Sequence, residues 1–265
     1  MSYVGFLKMA WIPAAMICGL AFACGCSGDG AVQPGATLGN MKADRILVLG
    51  NSITLHGIHV PYGWLNFCGM AASVPEKDYV HLVAAGIETR TGHHLDLNNK
   101  TLTRPRPDGS VHTRGANVIN IADILERQYP TYTNARLQAQ FDWKADIVIL
   151  QCGENTPMDV FNPVAFKHAL QTLMAGLKAS SNPHILVTSH ILGTSPAMDV
   201  VKREVCAEDP FHRVFVDLND FHKDPTNFAS AEKFYTGVIV GHPGDKGMET
   251  IANALLKAIF AQADR

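Results

Sequence analysis

Residues 45–54 read Arg-Ile-Leu-Val-Leu-Gly-Asn-Ser-Ile-Thr, and this stretch decides the fold. Arg45–Gly50 is a short apolar run closed by glycine, and small polar residues follow at once. Four later runs are of the same kind: Ala116–Ala122 (ANVINIA), Asp146–Cys152 (DIVILQC), His184–Ser189 (HILVTS) and Arg213–Leu218 (RVFVDL). They are apolar at consecutive rather than alternate positions. Strands read this way when both faces are buried, as in the interior of a parallel sheet.

Helical patterns separate the runs. Glu76–Ala85 follows Ser73-Val74-Pro75, and Ile121–Tyr129 is split from Tyr132–Phe141 by Pro130. Pro163–Ala179 lies behind Asn162, a candidate N-cap, and Asp245–Ala263 is an amphipathic C-terminal helix. Strands alternating with helices predict a three-layer α/β/α sandwich around a mostly parallel five-stranded sheet with right-handed crossovers. Residues 87–118 are polar and without a period, and read as a long excursion with a hairpin around Asp108-Gly109.

Outward from this core, composition divides the chain of 265 residues. A hydrophobic fraction of 47% and a charged fraction of 17% exclude a disordered chain. A net charge of −2, with Lys and Arg scattered, gives no electrostatic reason to bind nucleic acid. Residues 1–26 carry one charge, Lys8, and three of the 6 cysteines, Cys18, Cys24 and Cys26. The apolar run Met9–Ala23 is short for a membrane span, which needs about 20 residues. A basic start, an apolar run and then small residues are the layout of a secretory signal. The segment resembles a bacterial lipoprotein signal, with Cys26 or Cys24 as the lipid-modified residue. Residues 27–43 read as a linker and 44–265 as one domain. Cys68, Cys152 and Cys206 are widely spaced and odd in number, so they read as buried free thiols rather than a disulfide framework.

Open parallel sheets bind ligands outside the carboxyl ends of their strands. Three polar groups are expected on that rim. Ser52 directly follows the first strand, where its hydroxyl is exposed and its own N–H can meet a developing oxyanion. Asn155 follows the third run in Gly153-Glu154-Asn155, and its side chain can donate into the same crevice. His242, in Gly241-His242-Pro243-Gly244, precedes the last helix and is suited to act as a base near neutral pH.

Together these blocks resemble the SGNH/GDSL-type hydrolases over roughly residues 44–262. Val48-Leu49-Gly50-Asn51-Ser52-Ile53-Thr54 stands for the first block, with Asn51 where many members have Asp. Gly153-Glu154-Asn155 stands for the Gly-x-Asn block, and His242-Pro243 for the His-Pro block. The resemblance implies a flavodoxin-like α/β/α fold with Ser52 as nucleophile and His242 as base. The Ser52 N–H and the Asn155 amide would form the oxyanion hole. Two departures stand out. Ile239 occupies the position of the usual orienting Asp, so a Val238 or Ile239 carbonyl, Glu154 or Asp245 is the candidate partner of the imidazole; Asp245 also reads as the N-cap of the last helix. Asn120–Ile124 holds no Gly, so the third oxyanion donor is a backbone N–H among residues 122–125. Asn51, His56 and Trp64 are candidates for the substrate cleft, and Trp64 reads equally as core.

His56 with His59, and His93 with His94, lack a third ligand, so no metal is expected. No phosphate loop or dinucleotide fingerprint is present, and no cofactor is expected. The implied activity is that of a secreted or lipid-anchored serine esterase working through an acyl-enzyme, with O-deacetylation of a carbohydrate as one form of it. A lipid or thioester hydrolase stays open. So does a non-catalytic envelope binding protein on the same fold. The expected partners are a small-molecule or carbohydrate ester and, through the anchor, a bacterial membrane of the cell envelope.

Overall fold

The computed structural model describes residues 35–98, 115–232 and 237–265, with Val238 described by its backbone. Cys24, Cys26 and the Asp108-Gly109 turn lie outside the described residues. Strand β3 (Arg45–Gly50) is the hub. It pairs in parallel with β5 (Gly115–Asn120) on one side and β6 (Ile147–Leu150) on the other. Beyond β6 come β7 (His184–Thr188) and β8 (Arg213–Val216), both parallel. The five expected strands thus form one all-parallel sheet, and a two-residue strand, β4 (Leu97–Asn98), extends it beside β5. The chain leaves β3 toward β5 first and crosses to β6 later. The carboxyl ends of these three neighbours therefore border a topological switch point.

Successive side chains of β3 enter two different cores. Ile46 and Val48 pack with α1 (Tyr79–Thr91) and α6 (Asp245–Ala263), among them Val80, Val83, Ile251 and Leu255. Leu47 and Leu49 pack against the opposite layer, α2 (Gln138–Asp142), α3 (Pro163–Ser180) and α4 (Pro196–Ala207), through Phe141, Phe166, Leu170, Leu173 and Val205. Each fully buried Leu or Ile contributes about 1.5–3 kcal/mol. That double burial is why Ile46–Leu49 and Ile147–Leu150 are apolar at consecutive positions. Asn162 caps α3 as expected, its side chain accepting the Ala165 N–H at 3.0 Å. Cys68, Cys152 and Cys206 are free and buried, and burial pushes each thiol up to about 12.

The structure differs from the sequence reading in four places. Residues 35–43 are not linker: β1 (Thr37–Leu38) and β2 (Met41–Lys42) form an antiparallel hairpin that buries Leu38, Met41 and Ala43 in the α1–α6 core. The compact unit accordingly begins at Gly35. Helix α4 is an element the sequence reading did not include; its inward face carries Met198, Val201 and Val205 together with Asp199 and Lys202. The run expected as a helix over Ile121–Tyr129 is a π-helical turn, Ala122–Glu126, followed by a 3-10 turn at Tyr129–Thr131. Asp245 is the first residue of α6 rather than its cap, which is Gly244.

Candidate active site

The turn after β3 is built by two residues. A Cβ at Gly50 would overlap the Thr54 side chain, so glycine lets the chain fold back on itself. The Asn51 carbonyl accepts the N–H groups of Thr54 and Leu55 at 3.0 and 2.9 Å, and its side-chain oxygen accepts the Ile53 N–H at 3.0 Å. Ser52 is left half-buried on the rim. Its carbonyl takes the Met70 N–H at 2.8 Å, and its own N–H donates to no described residue.

His242 arrives from the far end of the chain. Its N–H donates to the Ile239 carbonyl at 2.9 Å, and its carbonyl accepts the Ala229 N–H at 3.0 Å. So held, its Nε2 lies 3.0 Å from Ser52 Oγ, across 190 positions of sequence. With the ring proton on Nδ1, Nε2 accepts from the hydroxyl. This is the reach a general base needs.

Asn155 reaches the same cleft from the end of β6. Gly153 has φ +127, and a Cβ there would strike the Met198 sulfur, so the turn requires glycine. The Asn155 Oδ1 accepts from Arg127 at 2.9 Å, and Nδ2 donates to Glu126 Oε2 at 2.6 Å. Glu126 is fully buried and also accepts the Gly153 and Asn155 backbone N–H groups and the Asn51 amide. Burial, then the nearby Glu154 carboxylate, push the Glu126 carboxyl above its usual range, while the Asn51, Gly153 and Asn155 bonds draw it back.

Ser52, Asn155 and His242 line one cleft of about 530 Å³, with His56, Tyr62, Arg127 and Arg136 among the other residues of its wall. Two sequence candidates for that wall lie elsewhere. Asn51 is fully buried beneath the turn, donating to Glu126 at 3.0 Å and Glu154 at 2.6 Å. Trp64 is buried in the α1–α6 core, with its indole N–H on the His56 carbonyl at 3.2 Å. The two acid candidates are bound elsewhere too. Glu154 accepts from Asn51, Gln151 and the Ile191 N–H, and Asp245 from Ser73 and Lys77. Neither carboxylate bonds to His242. The Ile239 side chain is buried, as an apolar residue in place of an acid must be.

The third oxyanion donor can be narrowed. In the stretch after β5, the Ala122 N–H is taken by Asn120 Oδ1, and those of Ile124 and Leu125 by the Ile121 carbonyl. Only the Asp123 N–H in this group donates to no described residue, and Asp123 lines the cleft.

No family model and no curated protein matches the sequence. Solved structures do match. A two-domain esterase active on acetylated mannans, crystallised with mannopentaose, superposes with a TM-score of 0.54 at 14% identity. The match covers 84% of this chain and 50% of that one, so this chain spans half its length. The two chains share an α/β/α fold, the one the SGNH/GDSL resemblance implies. Two further matches are the psychrotrophic esterase EstA from Pseudoalteromonas sp. (TM-score 0.49, 13% identity, 84% of this chain and 100% of that one) and TesA (0.48, 14%, 82% and 99%).

On this fold the sequence blocks at Ser52, Asn155 and His242 converge on one cleft. Sequence reasoning missed Glu126 and Arg127. Both stand in a run that reads as an ordinary helix, where a Glu-Arg pair looks like a solvated face. The signal the sequence offered was Asn51, an amide where the SGNH/GDSL resemblance implies an acid, which asks for an acidic partner.

Proposed function

We propose that the protein is a serine esterase with Ser52 as nucleophile and His242 as general base. The observation that carries this reading is the 3.0 Å approach of Ser52 Oγ to His242 Nε2 at the carboxyl rim of the sheet. Ser52 Oγ attacks the ester carbonyl carbon while its proton passes to Nε2. The carbonyl oxygen becomes an oxyanion, met by the N–H groups of Ser52 and Asp123 and by the Asn155 Nδ2. Collapse breaks the bond to the alcohol, which leaves with the proton from His242. Water then attacks the acyl-Ser52 ester by the same route and releases the acid.

The wall of the cleft is mixed, with Met70, Ala122 and Ile124 set among a majority of polar side chains. His56, Tyr62, Arg127 and Arg136 suit an alcohol rich in hydroxyl groups. With the likeness to an esterase active on acetylated mannans, this favours O-deacetylation of a carbohydrate. We further propose export through residues 1–26 and a lipid anchor on Cys26 or Cys24, in the cell envelope. Among the described residues, no helix is long and apolar enough to cross a membrane, and no group of three side chains is placed to hold a metal.

The test is turnover of an activated acetyl ester, with fluorophosphonate labelling of Ser52. Ser52→Ala is expected to lower kcat by at least about 10⁴-fold and to abolish labelling. Equal rates for wild type and Ser52→Ala across several acyl lengths would refute the esterase reading.

A further inference from the structure

A carboxamide is nearly symmetric in shape but not in chemistry. Turned one way it offers a donor to a developing oxyanion; turned the other way it offers an oxygen that repels it. Asn155 therefore needs something that fixes its orientation if it is to serve the esterase reading above, on which this inference rests. Resting on these contacts, we propose that Glu126 and Arg127 clamp the Asn155 carboxamide from its two ends and are positioning residues for the oxyanion hole.

Opposite polarities make the clamp selective. Arg127 Nη2 donates to Oδ1 at 2.9 Å, and Glu126 Oε2 accepts from Nδ2 at 2.6 Å. A guanidinium can only donate and an ionised carboxylate can only accept, so a flipped amide would face both partners with the wrong atom. Both partners are themselves restrained. Glu126 is fully buried and takes the Asn155 backbone N–H at 3.2 Å on the same oxygen, while Asn51 donates to its other oxygen at 3.0 Å. Arg127 is tied to Asp123 Oδ1 at 2.5 Å. The two side chains leave consecutive positions at the end of the π-helical turn, a widened geometry common at functional sites. One Nδ2 hydrogen is used by Glu126, and the other has no acceptor among the described residues, in a side chain that lines the cleft with Ser52.

Glu126→Gln keeps the size of the side chain but removes its fixed polarity, since a Gln amide can meet Asn155 either way round. The experiment is a cycle of Glu126→Gln, Asn155→Ala and the double variant, read as kcat and KM on an acetyl ester. Glu126→Gln is expected to lower kcat by about 10–100-fold with KM within about twofold, part of the roughly 10²–10³ that a lost oxyanion donor costs. In the Asn155→Ala background it is expected to lower kcat by less than about twofold, because no amide is left to orient. Wild-type kcat in Glu126→Gln, or an equal loss in both backgrounds, would overturn the clamp and leave the esterase reading standing. A wild type without turnover or Ser52 labelling overturns both. Should circular dichroism show that Glu126→Gln does not fold, Arg127→Gln carries the same cycle. That side chain is 50% exposed, and additive losses there would equally overturn the clamp.

Discussion

Both side-chain donors of Asn51 are taken. Its Nδ2 serves Glu126 and Glu154, at 3.0 and 2.6 Å, and its Oδ1 holds the Ile53 N–H. The residue is a neutral bridge between a buried carboxylate, Glu126, and a half-buried one, Glu154. Asn51→Asp, a change toward the residue many SGNH members carry, would remove both donated bonds and add a third acid. We expect it to destabilise the fold by about 3–5 kcal/mol in urea unfolding near pH 8. The sign of its pH dependence follows from Glu126, already pushed above its usual range by burial. Acids whose folded pKa is raised bind protons more readily when folded than when unfolded. The variant should therefore gain stability relative to wild type as the pH falls through that raised range, and lose it again as the pH rises. Equal stability of the two proteins at pH 8 would show that the cluster does not hold two charges. The same cluster marks where sequence reading stops. That Ser52, Asn155 and His242 share one cleft was legible because each follows a strand or precedes a helix on one rim of the sheet. Glu126 was not, because only the folded chain brings it under Asn155.

At the scale of elements, the end of α6 governs His242. Glu232 accepts the Asp245 and Lys246 N–H groups at 3.0 and 3.1 Å, doing for this helix what a cap does. Lys77 and Ser73 hold Asp245, and Lys246 holds Asp224 at 2.8 Å. Glu232→Ala should cost about 1 kcal/mol of unfolding free energy, as lost caps do, and, if the protein is the esterase proposed above, should also lower kcat, since the helix begins three residues after His242. A variant unchanged in both would show that Glu232 is dispensable to the helix start. The strands were readable as short continuous apolar runs and α6 as one long amphipathic period. In helix α4, Lys202 is fully buried and donates to the carbonyls of Cys152 and Thr188 at 2.5 and 3.1 Å, pinning the ends of β6 and β7. Met198, Val201 and Val205 still recur at helical spacing around this lysine, so the helix had a readable apolar face that the sequence reading passed over.

For the molecule as a whole, the boundary of the folded body can be tested by truncation. A chain begun at Gly35 retains the β1–β2 hairpin; one begun at Arg45 loses buried Leu38, Met41 and Ala43 and the Ala36–Asp44 bond of 2.8 Å. With about 1.5–3 kcal/mol for each large apolar side chain, the shorter chain should be less stable by several kcal/mol and melt markedly lower. Equal melting temperatures would return residues 35–43 to the status of a linker, as their small and polar neighbours suggested. The hairpin also sets a direction. Gly35 lies against Asp44, at the start of β3, and Gly39 against the Ala263 carbonyl at the end of α6. Ser52 stands beyond the other end of that six-residue strand, about 20 Å away at 3.3 Å per residue. Gly35 and the end of α6 thus both lie toward the pole opposite the mouth of the cleft that Ser52 lines. Immobilisation through either terminus, on a resin or a lipid layer, leaves that mouth open to bulky polymers, and a short bridge between the termini would permit circular permutation without crossing it.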